Sequence, residues 1–208
     1  MPEVLPTRAR RRPPVSALIL AGGASRRMGR NKAWLELEGH TLLGLAIEKV
    51  RAAGCAEVMI SGRGDADYST FGCPVLYDLE PGFGPVAGIE RGLHACATPL
   101  LLVLAVDLPQ MTVDFLKRLR RRCNALTGAV PWRAGDFEPL AAIYPKRCHA
   151  LAFDALIRGR HSARDFAVAC RRERAVRILR VTTETAPCFI NWNHPADCRP
   201  AGSAPLVR

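Results

Sequence analysis

The chain has 208 residues, 49% apolar and 24% charged, with a formal net charge of +11. That length supports one large core and falls short of two independent domains, and the composition is that of a globular chain. The longest apolar run, residues 99–106, has the length of a strand and not the ~18 residues of a membrane-spanning helix, which excludes a protein built on such helices.

The eight cysteines are scattered, none closer than ten residues to the next, so there is no CxxC metal or redox signature. They read as reduced thiols in a cytoplasmic protein. Part of the positive charge is local: Arg8, Arg10, Arg11 and Arg12 stand against Glu3 in the first fourteen residues. The start mimics a signal peptide, but its apolar part, residues 15–21, is short and is soon followed by Arg26 and Arg27, which reads against export.

Residues 1–14 read as a disordered basic leader, 15–198 as one folded domain and 199–208 as a flexible tail. The run at 15–20 predicts a strand buried on both faces. Residues 41–54 predict a helix, with Leu43, Ile47 and Val50 on one side, Thr41 as candidate cap and Gly54 as stop. Short strands are expected at 57–61 and 74–77, a loop at 79–84, and a helix at 85–97 burying Val86, Ile89, Leu93 and Cys96. Residues 100–106 predict the central strand, and Thr112 a cap for a helix reaching about residue 123. Strands at 129–132 and 140–144 suggest a ribbon around Ala134-Gly135-Asp136, followed by helices at 146–158 and 162–170 and late strands at 178–181 and 188–191. The alternation predicts an α/β fold: a single-domain, three-layer, Rossmann-like arrangement around a mostly parallel sheet, with function gathered at the carboxyl ends of the strands.

The segment from Leu20-Ala21-Gly22-Gly23 through Arg26-Arg27-Met28-Gly29 to Lys32 follows the first strand directly. Glycines let backbone N–H groups approach phosphate oxygens, and Arg26, Arg27 and Lys32 supply cations to neutralise a polyphosphate. It is neither a Walker A loop nor a GxGxxG fingerprint, because Gly23 and Gly29 are six apart and Gly22 and Gly23 adjacent. Alone it also reads as a glycine-rich turn with solvated arginines. Asp107 ends the central strand, where a hard carboxylate suits Mg²⁺, although a turn or capping Asp fits the position equally well. Asp78 closes the third strand in the same way. Two strand-end carboxylates beside a cationic glycine loop point to a nucleoside triphosphate with magnesium.

The segment from Leu20 to Lys32 resembles the LAGGxSxRMGxxK signature of nucleotidyltransferases that activate sugars and cofactors. Within that superfamily the chain is most similar to the molybdenum cofactor guanylyltransferases. Tyr77-Asp78, Gly84-Pro85-Val86-Ala87-Gly88-Ile89, Ala105 to Pro109, and Phe189-Ile190-Asn191-Trp192-Asn193-His194-Pro195 carry the rest of the resemblance. It implies that Leu20, Ala21, Gly22 and Gly23 hold the nucleotide by backbone groups, and that Arg27 and Lys32 bind and polarise the triphosphate. It further implies that Asp78 contacts the nucleoside, Asp107 coordinates Mg²⁺, and Asn191 and Asn193 face the second substrate. The sequence departs from the family where Ser61 stands in place of an Asn that contacts the nucleotide, leaving GTP against CTP open, and where His194 replaces a Thr.

The implied reaction is GMP transfer from GTP to the phosphate of molybdenum-bound molybdopterin, with pyrophosphate leaving. Implied partners are those two substrates, other molybdenum cofactor biosynthesis proteins and acceptor apoenzymes. Cytidylyl transfer to molybdopterin, or nucleotidyl transfer to a sugar or isoprenoid phosphate, are the enzymatic alternatives. A basic nucleic-acid-binding module is the alternative from another class, opposed by an aromatic content of 6% and by the lack of a recognition motif. The five histidines show no metal spacing, the arginines at 117–122 and 171–180 read as solvated faces, and Glu138 resembles a family position facing the second substrate.

Overall fold

The run at 100–105 lies in the middle of the sheet, every residue buried, because helices cover both faces and neither can be polar. The computed structural model describes residues 12–22, 32–77 and 83–192. The tail and all of the leader except residues 12–14 fall outside them.

In chain order the elements are β1 (Val15–Leu20), a ribbon of β2 (Glu36–Leu37) and β3 (His40–Thr41), α1 (Leu42–Ala52), β4 (Glu57–Gly62) and β5 (Val75–Tyr77). Then come α2 (Gly84–Ala95), β6 (Leu100–Ala105), α3 (Val113–Arg121), β7 (Gly128–Arg133), β8 (Asp136–Phe137), β9 (Ala141–Pro145), α4 (His149–Ile157), α5 (Ala163–Arg172) and β10 (Val176–Arg180). The main sheet runs β10-β7-β9-β6-β1-β4-β5, with β8 attached to β7. Pairing is parallel along β6-β1-β4-β5 and between β10 and β7, while β9 runs antiparallel to both its neighbours. This is the expected mostly parallel α/β fold.

Alternation along the strands divides the core into two layers. Ala17 and Ile19 of β1 and Leu100, Leu102 and Leu104 of β6 meet Leu43 and Ile47 of α1 and Phe115 and Leu119 of α3. Leu18, Leu101 and Val103 face the other way, onto Ile89 and Leu93 of α2 and Phe166 of α5. Burying each of the Leu, Ile, Val and Phe side chains contributes ~1.5–3 kcal/mol. Gly88 and Gly92 let α2 lie close on the sheet; a Cβ on Gly92 would come 2.7 Å from Leu18 Cδ2. The caps behave as the sequence predicts: Thr41 Oγ1 accepts from the Gly44 N–H at 3.1 Å, and Thr112 Oγ1 from the Phe115 N–H at 3.2 Å.

Three expectations change. The ribbon holds in part: β7 and β9 are antiparallel neighbours through Ala129 and Ile143, but the turn at Ala134 and Gly135, both with positive φ, joins β7 to the two-residue β8, and β9 also pairs with β6 over five residue pairs. The helix expected at 146–158 divides into a 3-10 turn, Lys146–Cys148, and α4. The strand expected at 188–191 is replaced by a 3-10 turn, Ala186–Phe189: Pro187 favours a helical first turn, and Phe189 buries edge-on against Phe115 at 5.2 Å. Among the described residues no helix is long and apolar enough to cross a membrane.

Candidate active site

Parallel pairing in register brings the carboxyl ends of β1, β4 and β6 to one edge, with Leu20 opposite Ser61 on one side and Ala105 on the other. The chain leaving β1 is pinned on both flanks. The Ala21 N–H donates to the Ser61 carbonyl at 2.8 Å, and the Val106 N–H donates to the Leu20 carbonyl at 3.2 Å. Leu20, Ala21 and Gly22 therefore leave the sheet in a fixed direction. Gly23 and Arg27 lie outside the described residues, as do Asp78 and Asn193.

Lys32 opens a 3-10 turn, Lys32–Trp34, and its Nζ lies 3.3 Å from Asp107 Oδ2. Their side chains are 19% and 26% exposed, so the pair stays within reach of solvent and ligand. A pair this open contributes about 1 kcal/mol or less to stability. The Asp107 carbonyl accepts the Trp192 N–H at 3.0 Å, which returns the C-terminal segment to the same corner and places the exposed Asn191 beside it. Lys32, Asp107 and the backbone of Trp192, the neighbour of Asn191, thus meet from three distant stretches of chain.

Ser61 is buried, at 3% exposure. A Cβ on Gly88 would lie 2.6 Å from Ser61 Oγ and 2.9 Å from Leu20 Cδ2, so the second turn of α2 is fitted against the strand ends. Gly88 lies in the segment from Gly84 to Ile89 that carries part of the resemblance. A residue that pattern reading passed over is Lys49 of α1, whose ammonium donates to the Pro109 carbonyl and so ties down the loop after Asp107. Burial lowers its pKa from the usual lysine range, partly offset by Cys188 and Glu48.

Magnesium prefers hard oxygen ligands, keeps several waters, and is commonly held by one or two carboxylates together with substrate phosphates. Asp107, partly open at a strand end, fits that role. Among the described residues no group of three or more His, Cys, Asp or Glu side chains could hold a metal.

Residues 17–180 match the MobA-like NTP transferase domain. A protein of Opitutus terrae called probable molybdenum cofactor guanylyltransferase is 39% identical over 186 residues, covering 88% of this chain and 92% of that protein. One of Mycobacterium tuberculosis with the same description is 41% identical over 138 residues, covering 63% and 68%. The crystal structure of molybdopterin-guanine dinucleotide biosynthesis protein A from Archaeoglobus fulgidus superposes with a TM-score of 0.68 at 22% identity, covering 88% of this chain and 94% of that one. With the profile spanning most of the chain and the Opitutus protein matched nearly end to end, this chain belongs to the MobA-like NTP transferase family.

Proposed function

We propose that this nucleotidyltransferase transfers GMP from GTP to the terminal phosphate of molybdenum-bound molybdopterin, releasing pyrophosphate. The observation that carries this reading is the Lys32–Asp107 pair at the carboxyl edge of β1 and β6, in a chain whose relatives are described as molybdenum cofactor guanylyltransferases. The backbone of Leu20, Ala21 and Gly22, continuing into Gly23, would cradle the nucleotide. Lys32, with Arg27 from the same loop, would neutralise the triphosphate and hold its α-phosphorus open to in-line attack. Asp107 would hold Mg²⁺, which when bound draws charge from the phosphate oxygens. Asp78 would contact the nucleoside, and Asn191 and Asn193 would orient the pterin substrate. The attacking phosphate is already ionised at neutral pH, so positioning and charge neutralisation do the work and no strong general base is required.

Ser61 gives a specific reason to test the base, since its hydroxyl sits packed at the strand end where the resemblance implies an Asn. The test is calorimetric binding of GTP, CTP, ATP and UTP with Mg²⁺, followed by pyrophosphate release with molybdenum-loaded molybdopterin. Preference for GTP and release dependent on the pterin are expected. Preference for CTP reassigns the protein to cytidylyl transfer, and no binding of any nucleotide overturns the reading.

A further inference from the structure

Between the outer face of α2 and the start of α4 the described residues line an open cavity of about 340 Å³. Leu76 and Phe153 form an apolar wall, and Glu90, Arg91, His94 and His149 form a polar one. A second hollow of about 460 Å³ shares His94 and His149 and is lined by Lys146 and Arg147. At ~1.5 Å per residue, His94 stands ~9 Å along the helix from Gly88, so occupation here is separable from binding at the strand ends.

Arg91 Nη1 is buried with no hydrogen-bond partner, a costly state for a donor on a charged group. The acid beside it is already engaged, because Glu90 Oε1 lies 2.7 Å from His149 Nε2. Phe153 is 52% exposed and stacks on His149 with ring centroids 6.2 Å apart, and the His94 ring is tilted against His149 with centroids 5.3 Å apart. Lys146 and Arg147 are tethered to the carbonyls of Cys96 and Leu126 and supply positive potential from the neighbouring hollow. The two imidazoles with one carboxylate do not form a group that could hold a metal.

We propose that this cavity binds a small organic anion: a single carboxylate or phosphate seated on Arg91 with His94 alongside, carried on an aromatic or aliphatic body packed on Phe153 and Leu76. An inorganic anion alone leaves the apolar wall uncovered, and a neutral apolar ligand leaves the guanidinium donor without an acceptor. Arg91 lines the cavity together with His94. Arginine suits either headgroup, since both present oxygen acceptors to its planar fork. This inference is independent of the nucleotidyl-transfer reading.

The test is a proton NMR titration of the full chain, following the imidazole C–H resonances of His94 and His149, assigned with His94→Gln and His149→Gln. The probes are phenyl phosphate, benzoate, inorganic phosphate and benzyl alcohol. Saturable shifts of both resonances with phenyl phosphate or benzoate are expected, the tighter of the two identifying the headgroup, with inorganic phosphate and benzyl alcohol much weaker. Arg91→Gln should weaken the response at least about tenfold, as loss of a hydrogen bond between charged groups does. Phe153→Ala, on an exposed side chain, should weaken the aromatic anions and leave inorganic phosphate unchanged. No saturable shift, an equal response to inorganic phosphate, or an unchanged titration in either variant overturns the proposal.

Discussion

Lys32 and Asp107 are 75 residues apart in the chain, and their side chains meet at 3.3 Å. The pair joins the far end of the glycine loop to the end of the central strand, across the edge where β1 and β6 finish in register. Its exposure makes it a poor stabiliser, so the two residues should matter far more to turnover than to folding.

Asp107→Ala is expected to abolish turnover and Lys32→Ala to weaken triphosphate use severely, while each shifts unfolding free energy by about 1 kcal/mol or less. Steady-state pyrophosphate release and urea denaturation on the same preparations check this. Near-wild-type rates in both variants would remove these residues from the site.

Gly88→Ala places a methyl group 2.6 Å from Ser61 Oγ and 2.9 Å from Leu20 Cδ2. Overpacking of this kind costs ~1–3 kcal/mol. Ser61→Ala removes the nearer atom, so the double variant should recover part of the loss, and a double-mutant cycle in urea reads the coupling. Strict additivity would contradict the close approach of α2 to the strand ends.

Phe189 is buried and meets Phe115 edge-on, and the chain three residues later donates to the Asp107 carbonyl. Phe189→Ala should cost ~3–5 kcal/mol. Because it loosens the segment carrying Asn191, it should raise KM for the proposed pterin substrate more than KM for the nucleotide. Initial rates with each substrate varied in turn separate the two effects.

Stability should fall in alkali. Burial pushes the Cys55 thiol up to about 11 and the Cys123 thiol up to about 12, against an ordinary value of 9.0. The unfolded chain therefore loses these protons first, so their contribution is complete below about pH 9 and disappears as pH rises through the folded values. Urea midpoints between about pH 8 and 11 should decline, and Cys55→Ala with Cys123→Ala should decline less steeply. A slope unchanged by the double substitution would assign the loss to other groups.

Much of this architecture was legible because its signals are local. The periodicity of Leu43, Ile47 and Val50 gives α1, Thr41 and Thr112 cap the helices they precede, and the continuous run at 100–105 demands a strand covered on both faces. The glycine loop and Asp107 stand out through residue type and position after a buried strand. The late segment was misread because Phe189 and Ile190 carry strand-like side chains, whereas Pro187 and the pocket against Phe115 decide its conformation.

Local sequence signals suffice for the fold class, the place of the central strand and the kinds of side chain that follow the buried strands. Tertiary structure decided the pairing of β9 with β6, the meeting of Lys32 with Asp107, the return of Trp192 to that corner, the fit of Gly88 against Ser61, and the Arg91 donor beside its cavity. The physical reason is range. Propensity, capping and periodicity act over a few neighbouring residues, whereas register and side-chain contact across tens of residues depend on how whole layers pack.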